Sequence, residues 1–400
     1  MKLISDAFDW QCLTPGEGHF MFGYYDRCAW DATGQHHLAL QIPQQSRLPE
    51  PGETAEVGIV ERGRPGFQRL ATTQAWCHQQ GAMTLWLPQR PGCFIYNDFI
   101  EEANGRWKPV ARIYDLARGL VGQYDRPVYA MSPDGRLAAA LDFSRIPRRG
   151  YSYARATFKG APPDLDNDGL WILDLETGKT RLVASYRALI EAHPLPYDLE
   201  QGADCIWLNH AIFNCDGSRV MVLFRTCANP ASPWPWHTYM FTMRVDGGEL
   251  ACPLPHTLWR ESAISHQIWG RAPGEILIDA NWCGRGYEYV VFDSTRQRFQ
   301  ANRISKGMGP MGHTVFSPDG RWMAADTYSI DGVQRLSLVR VSDGALTEVG
   351  RFRHQAGNDL VDVRCDLHPR WSSDGRVLTV DSIHDGHRRI YALDVSPLTV

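Results

Sequence analysis

A turn signature that returns along the chain constrains the fold more than any other feature. It reads MSPDGR at Met131 to Arg136, FNCDGS at Phe213 to Ser218, FSPDGR at Phe316 to Arg321 and WSSDGR at Trp371 to Arg376. A degenerate copy, WDATG, stands at Trp30 to Gly34. Asp-Gly supplies the positive φ of a tight hairpin turn, and a proline ahead of it fixes the entry. An apolar strand follows each full copy (LAAALDF, RVMVLF, WMAADTY, VLTVDS), and a second strand such as IYALDVS from Ile390 closes the unit. Intervals between copies are 82, 103 and 55 residues, so some units lack a clear copy. Dividing the 400 residues by a blade of roughly 45–55 residues predicts seven. The expected fold is all-β, a single seven-bladed β-propeller domain over residues 1–400. Helix-period sequence is nearly absent; RLVASYRALIEAH, residues 181–193, is expected to form a helix between blades. Pro-rich stretches at Gln44 to Thr54 and Ala228 to Trp236 read as loops over one face.

Charge narrows the function classes. Basic and acidic residues nearly balance, 41 against 45, with no long basic run, so no nucleic-acid partner is expected. The N-terminus, MKLISDAFDWQCL, has too short an apolar stretch for a signal peptide, and no segment reaches the ~18 apolar residues of a membrane span. Ten cysteines are scattered without paired spacing, as free thiols in a reducing compartment would be. A cytoplasmic protein without membrane contact is expected. Fourteen Trp and fifteen Tyr suit propeller interiors first, and sugar stacking second.

Several residues that carry chemistry stand just ahead of turn copies. His313 lies in GMGHTVFSPDG, and Cys365 and His368 lie in RCDLHPRWSSDG. Equivalent positions in successive blades fall near one another around the central channel. With His266 in AISHQIWG, these residues suit a divalent metal, zinc first and manganese second. His210 in LNHAIFNCDG, Arg285 in NWCGRGYEY and Tyr328 in ADTYSIDG are candidates for acid–base work. An arginine that offsets a carboxylate, with a His or Tyr that moves a proton, would serve β-elimination on a uronic acid. Each also has a plain reading, Tyr328 as a plug between blades and Arg285 as a turn residue. No GxSxG elbow, P-loop, GxGxxG after a strand or HExxH is present. DLDNDG at Asp164 to Gly169 lacks the closing acidic ligand of a calcium loop and reads as a polar turn.

The chain resembles the seven-bladed propeller polysaccharide lyases, the ulvan lyases and more distantly the oligogalacturonate lyases. The resemblance rests on HFMFGYYDRCAWDATG from His19, YDRPVYAMSPDGR from Tyr124, LDFSRIPRRGYSY from Leu141, NHAIFNCDGSR from Asn209, SHQIWG from Ser265, GHTVFSPDGRWMAADTY from Gly312 and RCDLHPRWSSDG from Arg364. It implies a catalytic His210, a carboxylate-neutralising Arg285 and a proton-transferring Tyr328. It also implies a metal position at His313, Cys365 and His368, with His266 as a further ligand or an active-site histidine. Two departures stand out: Phe224 where a second active-site histidine is expected, and Gln267 where a tyrosine is expected; His237 lies on a nearby loop. The expected function is cleavage of a uronate-containing oligosaccharide by β-elimination, on short imported chains if the protein is cytoplasmic. The alternative is a non-catalytic glycan-binding or scaffold propeller in cell-surface polysaccharide metabolism. Sugar, linkage, acid–base assignment and oligomeric state are not legible.

Overall fold

The computed structural model describes residues 7–158, 160–192, 205–231, 236–254, 256–296, 298–309, 312–354 and 362–399. Its strands form seven antiparallel sheets, six of four strands and one of three, arranged as the blades of a propeller. In chain order, blade 1 opens on His19–Met21, blade 2 on Leu85–Trp86, blade 3 on Ala130–Met131 and blade 4 on Cys205–Phe213. Blade 5 opens on Ala263–Trp269, blade 6 on Thr314–Phe316 and blade 7 on Arg370–Trp371. These opening strands are innermost, and from blade 3 to blade 6 each touches the opening strand of the next blade. Blade 7 is completed from the other end of the chain: Gln11–Cys12 pairs with Arg389–Asp394, which closes the ring.

The turn signature has one physical construction in three of its four full copies and a variant of it in the fourth. In blade 6 the Ser317 hydroxyl donates to Asp319 and accepts the Trp322 N–H, while Gly320 takes φ +68°. Ser132 with Asp134 and Ser372 with Asp374 repeat this around Gly135 and Gly375, at φ +70° and +69°. Blade 4 uses Asn214, whose Oδ1 accepts the Arg219 N–H. Each turn joins the first strand to the second at one face of the propeller, so residues at the start of every first strand lie at the opposite face.

Apolar residues bury between blades rather than in one central core. One cluster joins blades 3 and 4 through Tyr129, Phe143, Trp207 and Phe241, another joins blades 1 and 2 through Leu38, Val57, Phe94 and Tyr96, and a third joins blades 6 and 7 through Leu336, Val349, Leu378 and Tyr391. Alternation along each strand supplies both faces of a blade, which explains the near-continuous apolar strands.

The expected helix at 181–193 is half strand. Thr180–Ser185 is the outer strand of blade 3, and only Tyr186–Ala192 is helical. The Ser185 hydroxyl accepts the Ala188 N–H, an N-cap that starts the helix there; His193 lies outside the described residues. The Asp164 to Gly169 segment is a polar turn: Asp164 Oδ1 accepts backbone N–H groups of Asp166 and Asn167. None of the ten cysteines is in a disulfide. No helix among the described residues is long and apolar enough to cross a membrane.

Candidate active site

Four histidines come from the same place in four successive blades. His210, His313 and His368 each stand seven residues ahead of a turn glycine, Gly217, Gly320 and Gly375. His266 opens blade 5 in the same manner. Because every first strand runs in one direction along the channel, this shared position puts all four imidazoles at one face. His266 and His313 have ring centroids 4.3 Å apart, and His313 and His368 4.2 Å. Tyr24 and Tyr25, from the entry to blade 1, pack among them, Tyr25 at 4.8 Å from His313 and Tyr24 at 5.1 Å from His368.

The backbone is bent to achieve this. His210, His266 and His368 take φ of 56°, 54° and 45°, the left-handed region that costs a non-glycine residue about 1 kcal/mol or more. At His210 and His266 the ladder also slips, between Asn209 and Ile212 and between Ser265 and Ile268. Such bulges turn a side chain out of its strand's alternation, here into the channel.

The hydrogen bonds fix which nitrogens are basic. His368 Nδ1 lies 2.8 Å from the Gly23 carbonyl, which only accepts, so Nδ1 carries the proton and Nε2 the lone pair. That Nε2 is buried and has no partner. His313 Nδ1 faces Asp326, 3.2 Å from each carboxylate oxygen, which likewise leaves Nε2 basic. Asp326 also accepts the backbone N–H groups of His313 at 2.6 Å and of His368 at 3.0 Å. It therefore orients both rings, the outer-sphere carboxylate arrangement of metal-binding histidines. Ligand atoms of His313, Asp366 and His368 all lie within 4.8 Å of one another, and all three residues are buried. Two imidazoles and a carboxylate suit a divalent first-row metal.

Cys365 does not join this set, a correction to the expected ligands. Its Sγ points at the Asp366 carbonyl, 4.0 Å away, and burial pushes its thiol up to about 12; the next residue, Asp366, faces the histidines instead. His266 touches His313 but is engaged elsewhere, with Nε2 3.0 Å from the Tyr328 hydroxyl. That hydroxyl accepts from Arg364 at 3.1 Å, and the guanidinium lies 4.4 Å from the Tyr328 ring centre. Arg364 is paired in turn with Asp366 at 2.8 Å.

Burial sets the charge states. It lowers His210 to about 4 and takes His266 and His368 well below the usual histidine range, with the neighbouring His313 adding to the effect. Burial raises the Tyr328 phenol, against which Arg364 works. At neutral pH His210, His266 and His368 are therefore neutral and the Tyr328 phenol is protonated.

Burial also pushes Asp279 up to about 7, opposed by the Gly312 N–H that it accepts and reinforced by Asp326. A carboxyl in the unfolded chain titrates near 4. The folded state thus holds this proton more tightly, and its stability falls as pH rises from about 4 to about 7. Asp279→Asn is expected to remove that loss. The metal-free variant should melt with the parent at pH 4 and about 2 °C or more above it at pH 8; equal melting at pH 8 would refute this.

The face opens into a cleft of about 950 Å³ lined by His210, His266, His313 and Tyr328, and farther out by Arg149, Tyr151, Arg225, Trp236, Tyr239 and Trp259. Arg285 is not among its lining residues, a second correction. It is exposed in the turn that follows Trp282–Gly284, at the second connection of blade 5. The arginines of the cleft are Arg149, Arg225 and Arg364. Phe224 faces away, packing on Tyr186 and Phe241, because strand alternation turns Leu223 and Arg225 to the cleft. Gln267 does line the cleft, and its carbonyl meets His210 Nε2 at 2.5 Å. His237 lies exposed on the rim. Asp326 and Asp366 were not singled out in the sequence, although each stands within two residues of a residue that was.

No protein-family model matches the chain, and no curated protein sequence matches it. Among solved structures, oligogalacturonate lyase from Vibrio parahaemolyticus superposes with a TM-score of 0.64 at 13% identity, over 100% of this chain and 97% of that one. A structure of oligogalacturonate lyase in complex with manganese gives 0.63 at 13% identity, over 98% and 95%. A GH74 xyloglucanase from Xanthomonas campestris gives 0.53 at 14% identity, over 97% of this chain and 54% of that one. The propeller is thus shared with enzymes of different chemistry, and the likeness establishes the fold.

Proposed function

We propose that this protein is a carbon–oxygen lyase that cleaves a uronate-containing oligosaccharide by β-elimination. The observation that carries the reading is the meeting, in one cleft, of the His313–Asp366–His368 set with Arg364 and with neutral proton carriers. Of the two families that the motifs resemble, the solved neighbours favour the oligogalacturonate branch. The manganese in one of those neighbours supports a divalent metal of that kind here. His313, Asp366 and His368 would hold it, and when bound it supplies positive charge for the substrate carboxylate.

The remaining work falls to side chains. Arg364, in the same corner, adds a second positive charge for the carboxylate, which makes the neighbouring C5–H acidic enough to remove. His210 donates Nε2–H to Gln267, so Nδ1 is the basic nitrogen and takes the C5 proton. The C4–O bond breaks with its electron pair on oxygen as the C4–C5 double bond forms. Tyr328, held protonated by burial, gives the leaving oxygen its proton and is resupplied through His266. Thiols without disulfides and a cleft for an acidic oligosaccharide fit a cytoplasmic enzyme that receives short chains.

Absorbance of the conjugated double bond, followed on a panel of uronate oligosaccharides headed by trigalacturonate, tests the reading. A time-dependent rise is expected with metal-loaded protein. Tight binding of trigalacturonate with no rise would select a non-catalytic glycan-binding propeller, which the replacement of a tyrosine by Gln267 favours.

A further inference from the structure

Among the three arginines of the cleft, two have carboxylate partners: Arg149 meets Asp362 at 2.6 Å, and Arg364 meets Asp366. Arg225 has none among the described residues. Its Nε is buried without a hydrogen-bond partner, and its polar neighbour on the cleft wall is the uncharged hydroxyl of Tyr151. Buried polar groups are paired in more than about nine cases in ten, and a guanidinium without a carboxylate is costly to bury, so this one calls for an acidic partner from outside the chain. The guanidinium is also held in place, 5.0 Å from the Trp236 ring centre, and its charge is felt at Tyr151.

Its place in the sheet sets it toward the mouth, while its charge still reaches His210 and His266. Blade 4 has a long first strand, Cys205–Phe213, which begins above His210, toward the mouth. Arg225 pairs with Trp207, three residues before His210. By strand geometry that is ~10 Å along the strand and one strand farther out. An acid at Arg225 would therefore sit on a sugar nearer the mouth than one whose carboxylate is held at His313 and His368.

We propose that Arg225, with Tyr151, forms a second carboxylate subsite, so that the protein takes oligosaccharides bearing acids on neighbouring sugars. This rests on the uronate reading above and adds to it the charge pattern of the substrate. The planar, forked guanidinium matches a carboxylate with two parallel hydrogen bonds, a pairing that an ammonium does not reproduce.

Calorimetric binding of galacturonate and of trigalacturonate, in metal-loaded Tyr328→Phe protein so that nothing is turned over, tests it. Adding Arg225→Gln is expected to weaken trigalacturonate about 10- to 100-fold and to leave galacturonate unchanged; Arg225→Lys should restore only part of the loss. Equal weakening of both sugars would place Arg225 on the same carboxylate as the histidines and overturn the proposal, as would unchanged trigalacturonate binding. If the Tyr328→Phe protein binds neither sugar, the uronate reading itself fails, and the subsite with it. Melting curves of the Arg225 variants separate these outcomes from loss of folding.

Discussion

Replacing His368 with alanine is expected to abolish stoichiometric binding of a divalent metal and to lower uronate elimination by about 10³-fold or more, the worth of several kcal/mol of charge stabilisation. The imidazole has a fixed tautomer, a buried Nε2 without a partner and a carboxylate within reach, so its removal takes one ligand from a set of three. Metal content after dialysis is the direct measurement. A variant that retains one metal per chain would show that the three residues are not the metal site. Asp326→Asn gives the graded companion: it leaves every ligand in place but loosens His313 and His368, and should cost about 10- to 100-fold in metal affinity.

Tyr328→Phe is expected to lower kcat by about 10²- to 10⁴-fold with little change in KM, because the hydroxyl acts on a proton in transit rather than on the bound ground state. The ring remains to fill its place between His266, His313 and Arg364. Steady-state kinetics on whichever uronate the panel identifies would read this. Full activity in the variant would remove Tyr328 from the chemistry and leave the leaving oxygen to be protonated by water. The two substitutions differ in signature: His368→Ala loses metal and rate together, whereas Tyr328→Phe keeps its metal.

The repeat made much of this legible. A turn signature with one construction fixes where each first strand ends, and so fixes the face on which His210, His313 and His368 stand. Their convergence follows from spacing alone. What spacing does not carry is how far a side chain reaches or which way a residue turns. Arg285 and Tyr328 occupy the same connection in successive blades, yet one is exposed and the other is half-buried against His266. Cys365 and Asp366 are neighbours in the chain, and only one of them faces the histidines. Asp326 ends a strand that reads as ordinary apolar sequence, and its role depends on backbone groups 13 and 42 residues away. Arg225 is hidden for a related reason: its meaning lies in what is not beside it.

The closing of the ring carries a consequence for how the protein is made. His368 bonds Gly23 across 345 residues, and the blade that holds it is finished by Gln11–Cys12. A chain still on the ribosome has neither the last strand nor the juncture of its two ends. It therefore cannot take up the ion, even after His210, His266 and His313 have emerged. If His313, Asp366 and His368 hold an ion as proposed, loading it and completing the polypeptide become one event. An ion that binds only the finished circle adds RT ln(1 + [ion]/Kd) to its stability. Scarcity of the metal would thus surface first as slippage at the seam between the two termini, while blades 2 and 3, remote from both, stay folded.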